Sequence, residues 1–304
     1  MKGKILGIHH VTAICGDAQT NLDFYTQVLG LRLVKKTVNF DDPTAYHLYF
    51  GDTAGTPGTL LTFFPYPDGR SAQPGIGGAL GFAFAIPESA AEYWKQRLTQ
   101  HNLRFEEKGG EIEFKDPDGI QVQLVPTRWQ RGEAYGDSTV PTEFQIRSIL
   151  RVTIPARDAT KTENLLSQHF QAVKQGEDWV MEDGSRIRIH ADEAMPFGHG
   201  GHGSIHHIAF RTPNDAEQEA WLEFLQTSGY RVSPVMDRNY FHSIYFREPN
   251  NTLFEIATDG PGMAIDEDAA HLGEALRLPA QYESHRELIE RSLPPLRIGA
   301  PAKR

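Results

Sequence analysis

The chain has 304 residues, 39% of them hydrophobic and 23% charged, which is enough apolar material for a sizeable core and excludes disorder over most of its length. Its formal net charge is −10, and its 30 basic residues form no stripe, so a nucleic-acid partner is not expected. No stretch nears the roughly 20 apolar residues of a membrane span. The single cysteine, Cys15, excludes an internal disulfide framework, and the first residues carry no signal-like apolar run, so a cytoplasmic location is expected.

The elements repeat along the chain. The segment Ile8-His-His-Val-Thr-Ala-Ile14 has the β-branched content of a strand. Asp17–Gly30 follows as a helix, with Leu22, Phe24, Tyr25, Val28 and Leu29 at helical spacing and Gly30 as its C-cap. Strands are expected at Arg32–Phe40, Ala45–Phe50 and Thr59–Phe64. The second copy is fainter: a strand at Gly81–Ile86, a helix at Ala90–His101, and strands near Arg104–Lys108, Glu111–Lys115 and Gln121–Val125. Arg128–Thr142, with Gly132, Gly136 and Pro141, has the composition of a linker.

The third copy has a strand at Ile149–Ile154, a helix at Ala159–Phe170, and strands at Gln171–Lys174, Trp179–Glu182 and Arg186–His190. The fourth returns clearly. Ile205-His-His-Ile-Ala-Phe-Arg211 repeats the opening strand, the helix Asp215–Ser228 follows, and strands are expected at Tyr230–Met236, His242–Phe246 and Leu253–Ala257. Beyond the repeats, Gln281–Leu293 is expected to be one helix, stopped by Pro294 and Pro295, and Pro301–Arg304 to fray.

These elements make an α+β fold of four βαβββ modules, each about 50–60 residues as such repeat units usually are. Two modules can pair into an open barrel with a concave site. The expected division is residues 1–130 and 145–260 as two open-barrel domains of two modules each, with 261–304 as a C-terminal tail containing one helix.

Thirteen histidines are present, four of them in two His-His pairs. Strand alternation puts His10 and Thr12 on one face of the opening strand and His9 on the other. His207 holds the equivalent place in the fourth module, with His206 opposite. On the last strand Phe254 and Ile256 point to the helix, so Glu255 points into the cleft, where a carboxylate among apolar neighbours needs a partner. Two histidines and one carboxylate on a concave surface can form a facial triad with open metal positions. A strand histidine also serves as a packed or hydrogen-bonded core residue, and the spacing alone leaves that alternative open. The intermediate modules offer no such set: the His10 position becomes about Phe82 and Arg151, and the Glu255 position about Thr62, Gln123 and Arg188 in the first three. The metal site is therefore expected to join the two ends of the chain, with a second cleft free of metal.

The motifs Gly7-Ile-His-His-Val-Thr-Ala13, Phe24 to Phe40, Tyr46-His-Leu-Tyr-Phe50, His206-His207, Asp237 to Pro249 and Leu253-Phe-Glu-Ile-Ala-Thr-Asp259 resemble the vicinal oxygen chelate superfamily. This superfamily includes glyoxalase I and the type I extradiol dioxygenases. Within it they resemble the hydroquinone-cleaving branch, the MhqO-like and PcpA-like ring-cleaving dioxygenases, over nearly the whole chain. The resemblance implies a glyoxalase-like fold and Fe(II), with Mn(II) as an alternative ion, held by His10, His207 and Glu255. It implies a small aromatic diphenol and O2 as partners, with O2 inserted into the ring of a hydroquinone. It also implies supporting roles for Arg238 as oxyanion stabiliser, Tyr245 as hydrogen-bond or proton donor, and Thr12, His9 and His206. His9 and His206 conflict with simple alternation, and a β-bulge would re-aim them. Catechol-type extradiol cleavage, a glyoxalase-type metal-dependent lyase or isomerase, and non-catalytic binding are the alternatives. Arg151 at the third-module position argues against the first and Thr62 at the first-module position against the second. Homo-oligomer formation is left open.

Overall fold

The computed structural model describes residues 3–299. The expected fraying of Pro301–Arg304 lies outside the described residues. Each module contributes four strands. The first has β1 (Gly7–Cys15), β2 (Arg32–Asn39), β3 (Asp42–Gly51) and β4 (Leu60–Pro65). The second has β5 (Gly81–Ile86), β6 (Phe105–Lys108), β7 (Glu111–Lys115) and β8 (Gln121–Pro126). The third has β9 (Ser148–Ala156), β10 (Val173–Gln175), β11 (Asp178–Val180) and β12 (Arg186–Ala191). The fourth has β13 (Ser204–Thr212), β14 (Met236–Asp237), β15 (Phe241–Arg247) and β16 (Leu253–Pro261).

One helix follows the first strand of each module: α1 (Ala18–Asp23), α2 (Ala91–Gln100), α3 (Thr160–Asn164) and α4 (Asp215–Thr227). Asp17 caps α1 by accepting from the Thr20 N–H at 2.7 Å, as a short carboxylate at that position should. α1 and α3 both widen into a single π turn. Leu29 N–H donates to Phe24 O and Phe170 N–H to Leu165 O, each at 3.0 Å, and Gly30 then takes the positive φ of +72° that its C-cap role requires.

The strands form two eight-stranded sheets, ordered β14-β15-β16-β13-β1-β4-β3-β2 and β10-β11-β12-β9-β5-β8-β7-β6. The first unites modules one and four through the antiparallel pair β1–β13, and the second unites modules two and three through β5–β9. The sheets therefore do not follow the halves 1–130 and 145–260, because each sheet takes one module from either half. The pairing of first strands across modules decides this, and no local sequence pattern encodes it. The segment 127–141 carries no helix or strand. A single large core cluster draws on all four modules. Phe254 and Ile256 pack in it with Phe170 and Trp221 beneath the helices, which turns Glu255 to the concave side.

Two of the expected elements are broken in the structure. Tyr230–Met236 is not a continuous strand: Pro234 has no N–H to donate, and only a bridge from Val232 to Phe246 and the short β14 remain. Gln281–Leu293 divides into a 3-10 segment, Ala280–His285, and α5 (Arg286–Ser292). The tail before α5 lies along the edge strand β2 and covers it, which protects that edge from pairing with other chains. Lys35 is fully buried there against Asp266 at 2.6 Å and against Glu267, and Arg277 N–H donates to Lys36 O at 2.9 Å.

Candidate metal centre

Three side chains of metal-ligating type, from three strands, converge on the concave side of the first sheet. His10 Nε2 and His207 Nε2 lie 3.2 Å apart, and Glu255 Oε2 lies 2.9 Å from His207 Nε2 and 3.4 Å from His10 Nε2. All three residues are buried, and this is the only group of three such residues within ligand reach among the described residues.

Two β-bulges orient the histidines. The β1–β13 register slips between Ile8 and His10, which leaves His9 unpaired, and again after Thr12↔His207, which leaves His206 unpaired. Each bulge turns the extra ring beside its neighbour. His9 Nδ1 is 2.9 Å from His10 Nδ1, and His206 Nδ1 is 2.8 Å from His207 Nδ1. The conflict with alternation is thereby resolved, in a way the sequence did not display.

This arrangement constrains the charges. Burial, and then His10, push the pKa of His9 well below the usual histidine range, so His9 is neutral and can offer a lone pair at Nδ1. The tautomer that satisfies His10 and His207 has Nδ1–H donating to that neighbouring ring, as metal-ligating histidines commonly donate their second N–H. Their Nε2 lone pairs then face Glu255 Oε2. Burial opposes ionisation of Glu255, but positive charge beside it, from the His10 and His207 rings when they are protonated, outweighs it and holds its pKa well below the carboxylate range. Burial, only partly offset by Glu255, lowers the pKa of His207. Glu255 Oε2 is buried with no hydrogen-bond donor. In that tautomer both Nε2 lone pairs and Glu255 Oε2 converge within 4.8 Å of one another, an arrangement that a cation satisfies. Bonds of about 2.1 Å to nitrogen and oxygen put adjacent ligand atoms about 3 Å apart, which the observed separations match.

Glu255 is held from behind. Ser243 Oγ donates to Oε1 at 2.5 Å, leaving Oε2 aimed at the histidines. Sequence reasoning missed Ser243, although its place two residues before Tyr245, which pairs with Glu255, put it on the same face.

A cavity of about 370 Å³ opens beside the ligands. His10, His206, His207, Arg238 and Tyr245 line it, with Phe40, His47, Tyr49, Phe64 and Phe241. An apolar cavity of roughly 150 Å³ suffices for benzene, so one substituted ring fits. A larger recess, about 620 Å³, lies by Arg32, Tyr135 and Glu274, but it gathers no ligating cluster among the described residues. Arg238 Nε–H donates to the Tyr245 hydroxyl at 3.2 Å, and its Nη2 reaches Asp41 Oδ2 at 3.1 Å. Burial, and then Glu255, raise the pKa of Tyr245, which keeps the phenol protonated at neutral pH.

Thr12 and His9 do not line the cavity. The Thr12 hydroxyl lies 2.7 Å from that of Thr62, which lies 2.9 Å from His47 Nε2. His47, a buried cavity residue, was missed although it stands in the Tyr46–Phe50 motif.

The second sheet follows the same geometry with different side chains. The bulged pairing Ala83↔Arg151 matches Thr12↔His207, so Gly81, and not Phe82, holds the His10 position, and Phe82 packs in the core. Arg151, in the His207 place, donates to both Glu111 oxygens at 2.9 and 2.6 Å and to Gln123 at 2.8 Å.

A two-sheet fold of paired βαβββ modules, with two histidines and a glutamate on the concave face of one sheet, sets the class of protein to which the chain belongs. The chain belongs to the Glyoxalase/Bleomycin resistance protein/Dioxygenase superfamily, whose family description matches residues 7–124 and 148–256. Over 311 residues it is 41% identical to the "Putative ring-cleaving dioxygenase MhqO" of Bacillus subtilis (strain 168), covering 98% of this chain and 99% of that one. It is 29% identical to the Chlorohydroquinone/hydroquinone 1,2-dioxygenase of Sphingobium indicum, covering 95% of this chain and 96% of the relative. Among solved structures, a "putative dioxygenase" from Bacillus subtilis superposes with a TM-score of 0.92 at 40% identity, over 98% of this chain and 99% of the other. Glyoxalase I from Zea mays superposes with a TM-score of 0.60 at 13% identity, over 83% of this chain and 92% of that one, a likeness of fold alone. No helix among the described residues is long and apolar enough to cross a membrane.

Proposed function

We propose that the protein is an Fe(II)-dependent ring-cleaving dioxygenase that opens a substituted hydroquinone with O2, and that His10, His207 and Glu255 hold the ion, with Mn(II) as an alternative. The observation that carries this reading is the convergence of three buried ligating atoms, all within 4.8 Å of one another, beside an aromatic-lined cavity. The similarity to relatives named for ring cleavage supports it. Bound iron would acidify a phenol and pass electrons from the ring to O2.

The protein's own groups supply the rest. Phe40, Phe64 and Phe241 enclose the ring and exclude water from it. Tyr245, kept protonated by burial, donates a hydrogen bond or a proton to an oxygen developing negative charge. Arg238, fixed by Asp41, holds the Tyr245 hydroxyl and adds positive charge over that ring, its carbon 5.4 Å from the ring centre. His9 and His206 position the ligand histidines, and Thr12 acts through Thr62. A glyoxalase-type lyase is disfavoured because Thr62 stands where the pseudo-symmetry would put a second carboxylate.

Anaerobic loading with Fe(II), followed by O2 uptake with methylhydroquinone, tests the reading. One O2 consumed per ring opened is expected. No uptake with any 1,4- or 1,2-diphenol despite bound iron would overturn it.

A further inference from the structure

We propose that His47 is a second substrate contact, which holds the ring hydroxyl remote from the metal and thereby selects 1,4-diphenols over 1,2-diphenols. The inference rests on the function proposed above and goes further in assigning the group that reads the second hydroxyl.

The argument starts from the internal symmetry of the first sheet. Thr12 pairs with Thr62 on β4, and Ala209 with Glu255 on β16. Across the centre, His10 pairs with Ala209 and Thr12 with His207. Exchanging the two modules therefore carries Glu255 onto Thr62. One strand further out, Tyr245 pairs with Glu255 and Tyr49 with Thr62, so Tyr245 maps to Tyr49 and Ser243 to His47. In the fourth module a hydroxyl supports a carboxylate that faces the ligand histidines. In the first module the roles are reversed, and the Thr62 hydroxyl supports an imidazole at the cavity wall.

His47 has the attributes of a contact group. It is 8% exposed, and its ring is fixed between Tyr49 and Phe64, with centroids 4.0 and 4.2 Å away. Nε2 is engaged by Thr62, whereas Nδ1 takes no protein partner among the described residues. Burial pushes its pKa well below the usual histidine range, so the ring is neutral. When the Thr62 hydroxyl donates to Thr12, it accepts from Nε2–H, and Nδ1 presents a lone pair to the cavity. When the Thr62 hydroxyl donates to Nε2, Nδ1 presents a hydrogen. A substrate hydroxyl both donates and accepts, so it satisfies either arrangement.

The position matters as well. β3 lies two strands from β1, about 10 Å across the sheet at the usual spacing, so His47 sits away from the ligand histidines along the same cavity. A ring that reaches the metal through one oxygen can offer its para hydroxyl there. A 1,2-diphenol that uses both oxygens at the metal leaves His47 unpaired in an enclosed site, and such a mismatch is discriminated against.

The test is anaerobic binding of hydroquinone, phenol and catechol to the Fe(II)-loaded protein, read by optical titration and compared with turnover. The wild type is expected to bind hydroquinone at least about tenfold more tightly than phenol. His47→Phe should remove that gap while leaving phenol and catechol within about twofold and metal content unchanged. His47→Gln should restore part of the gap. Thr62→Val, which keeps the ring stacking, should give an intermediate loss and serves as the comparison if His47→Phe is recovered unfolded. Equal weakening of all three ligands by His47→Phe, or a persisting hydroquinone preference, overturns the assignment while leaving ring cleavage intact. A wild type that binds none of the three despite bound metal overturns both.

Discussion

Ser243→Ala isolates the support of the metal site from its ligands. In the wild type the Ser243 hydroxyl donates to Glu255 Oε1 at 2.5 Å, and both side chains are fully buried. Truncation leaves Oε1 in an enclosed space without a donor, which costs about 1–3 kcal/mol for a buried acceptor. It also frees the carboxylate to rotate, so Oε2 is no longer held 2.9 Å from His207 Nε2. Loss of such a supporting partner typically lowers metal affinity about 10–100-fold, or about 1.4–2.7 kcal/mol, in the same range as the desolvation cost. The assay is competition between the protein and a chromophoric chelator for Mn(II), with thermal melting of the metal-free forms as a control on folding. An affinity within twofold of wild type, with the fold intact, would refute the claim that Ser243 aims Glu255.

Three further outcomes are expected. Tyr245→Phe should lower kcat about 10–100-fold with metal affinity unchanged, checked by steady-state O2 uptake beside metal titration; equal kcat would remove Tyr245 from the proton chemistry. Lys35→Met leaves the buried Glu267 with only the Arg277 guanidinium, 3.5 Å from its other oxygen, and should cost about 3 kcal/mol, with hydrogen exchange across residues 263–278 rising first. Burial raises the pKa of Asp116 to about 6 despite hydrogen bonds from the Ile120 N–H and Tyr25. A carboxyl whose folded pKa is raised loses stability as pH rises from its unfolded value near 3.8 through about 6, so wild type should lose up to about 3 kcal/mol relative to Asp116→Asn over that interval, measured by urea unfolding at pH 4 and pH 7. An unchanged difference between the two would contradict it.

The repeat and the convergence of His10, His207 and Glu255 were legible in the sequence because strand alternation and module equivalence are local patterns. His10, His207 and Glu255 each follow from the face their neighbours bury. The pairing of module one with four was foreshadowed only by the distribution of those ligands, since β1–β13 contact lies between residues about two hundred positions apart. His9 and His206 defeated the alternation rule because a bulge adds a residue without leaving a sequence mark. Ser243 and His47 escaped notice because a lone serine or histidine in a strand gains meaning only from the residue opposite. The tail over β2 depends on Lys35 meeting Asp266 and Glu267, acidic residues with no periodic signal of their own.

The central claim is that one metal ion sits where the first and last modules meet. Crystals grown from protein loaded anaerobically with Fe(II) should show a single anomalous peak at the iron edge, within bonding distance of His10 Nε2, His207 Nε2 and Glu255 Oε2, and none for Glu255→Ala. A peak elsewhere, such as at His199 and His202, or no peak in fully active protein, would contradict the account.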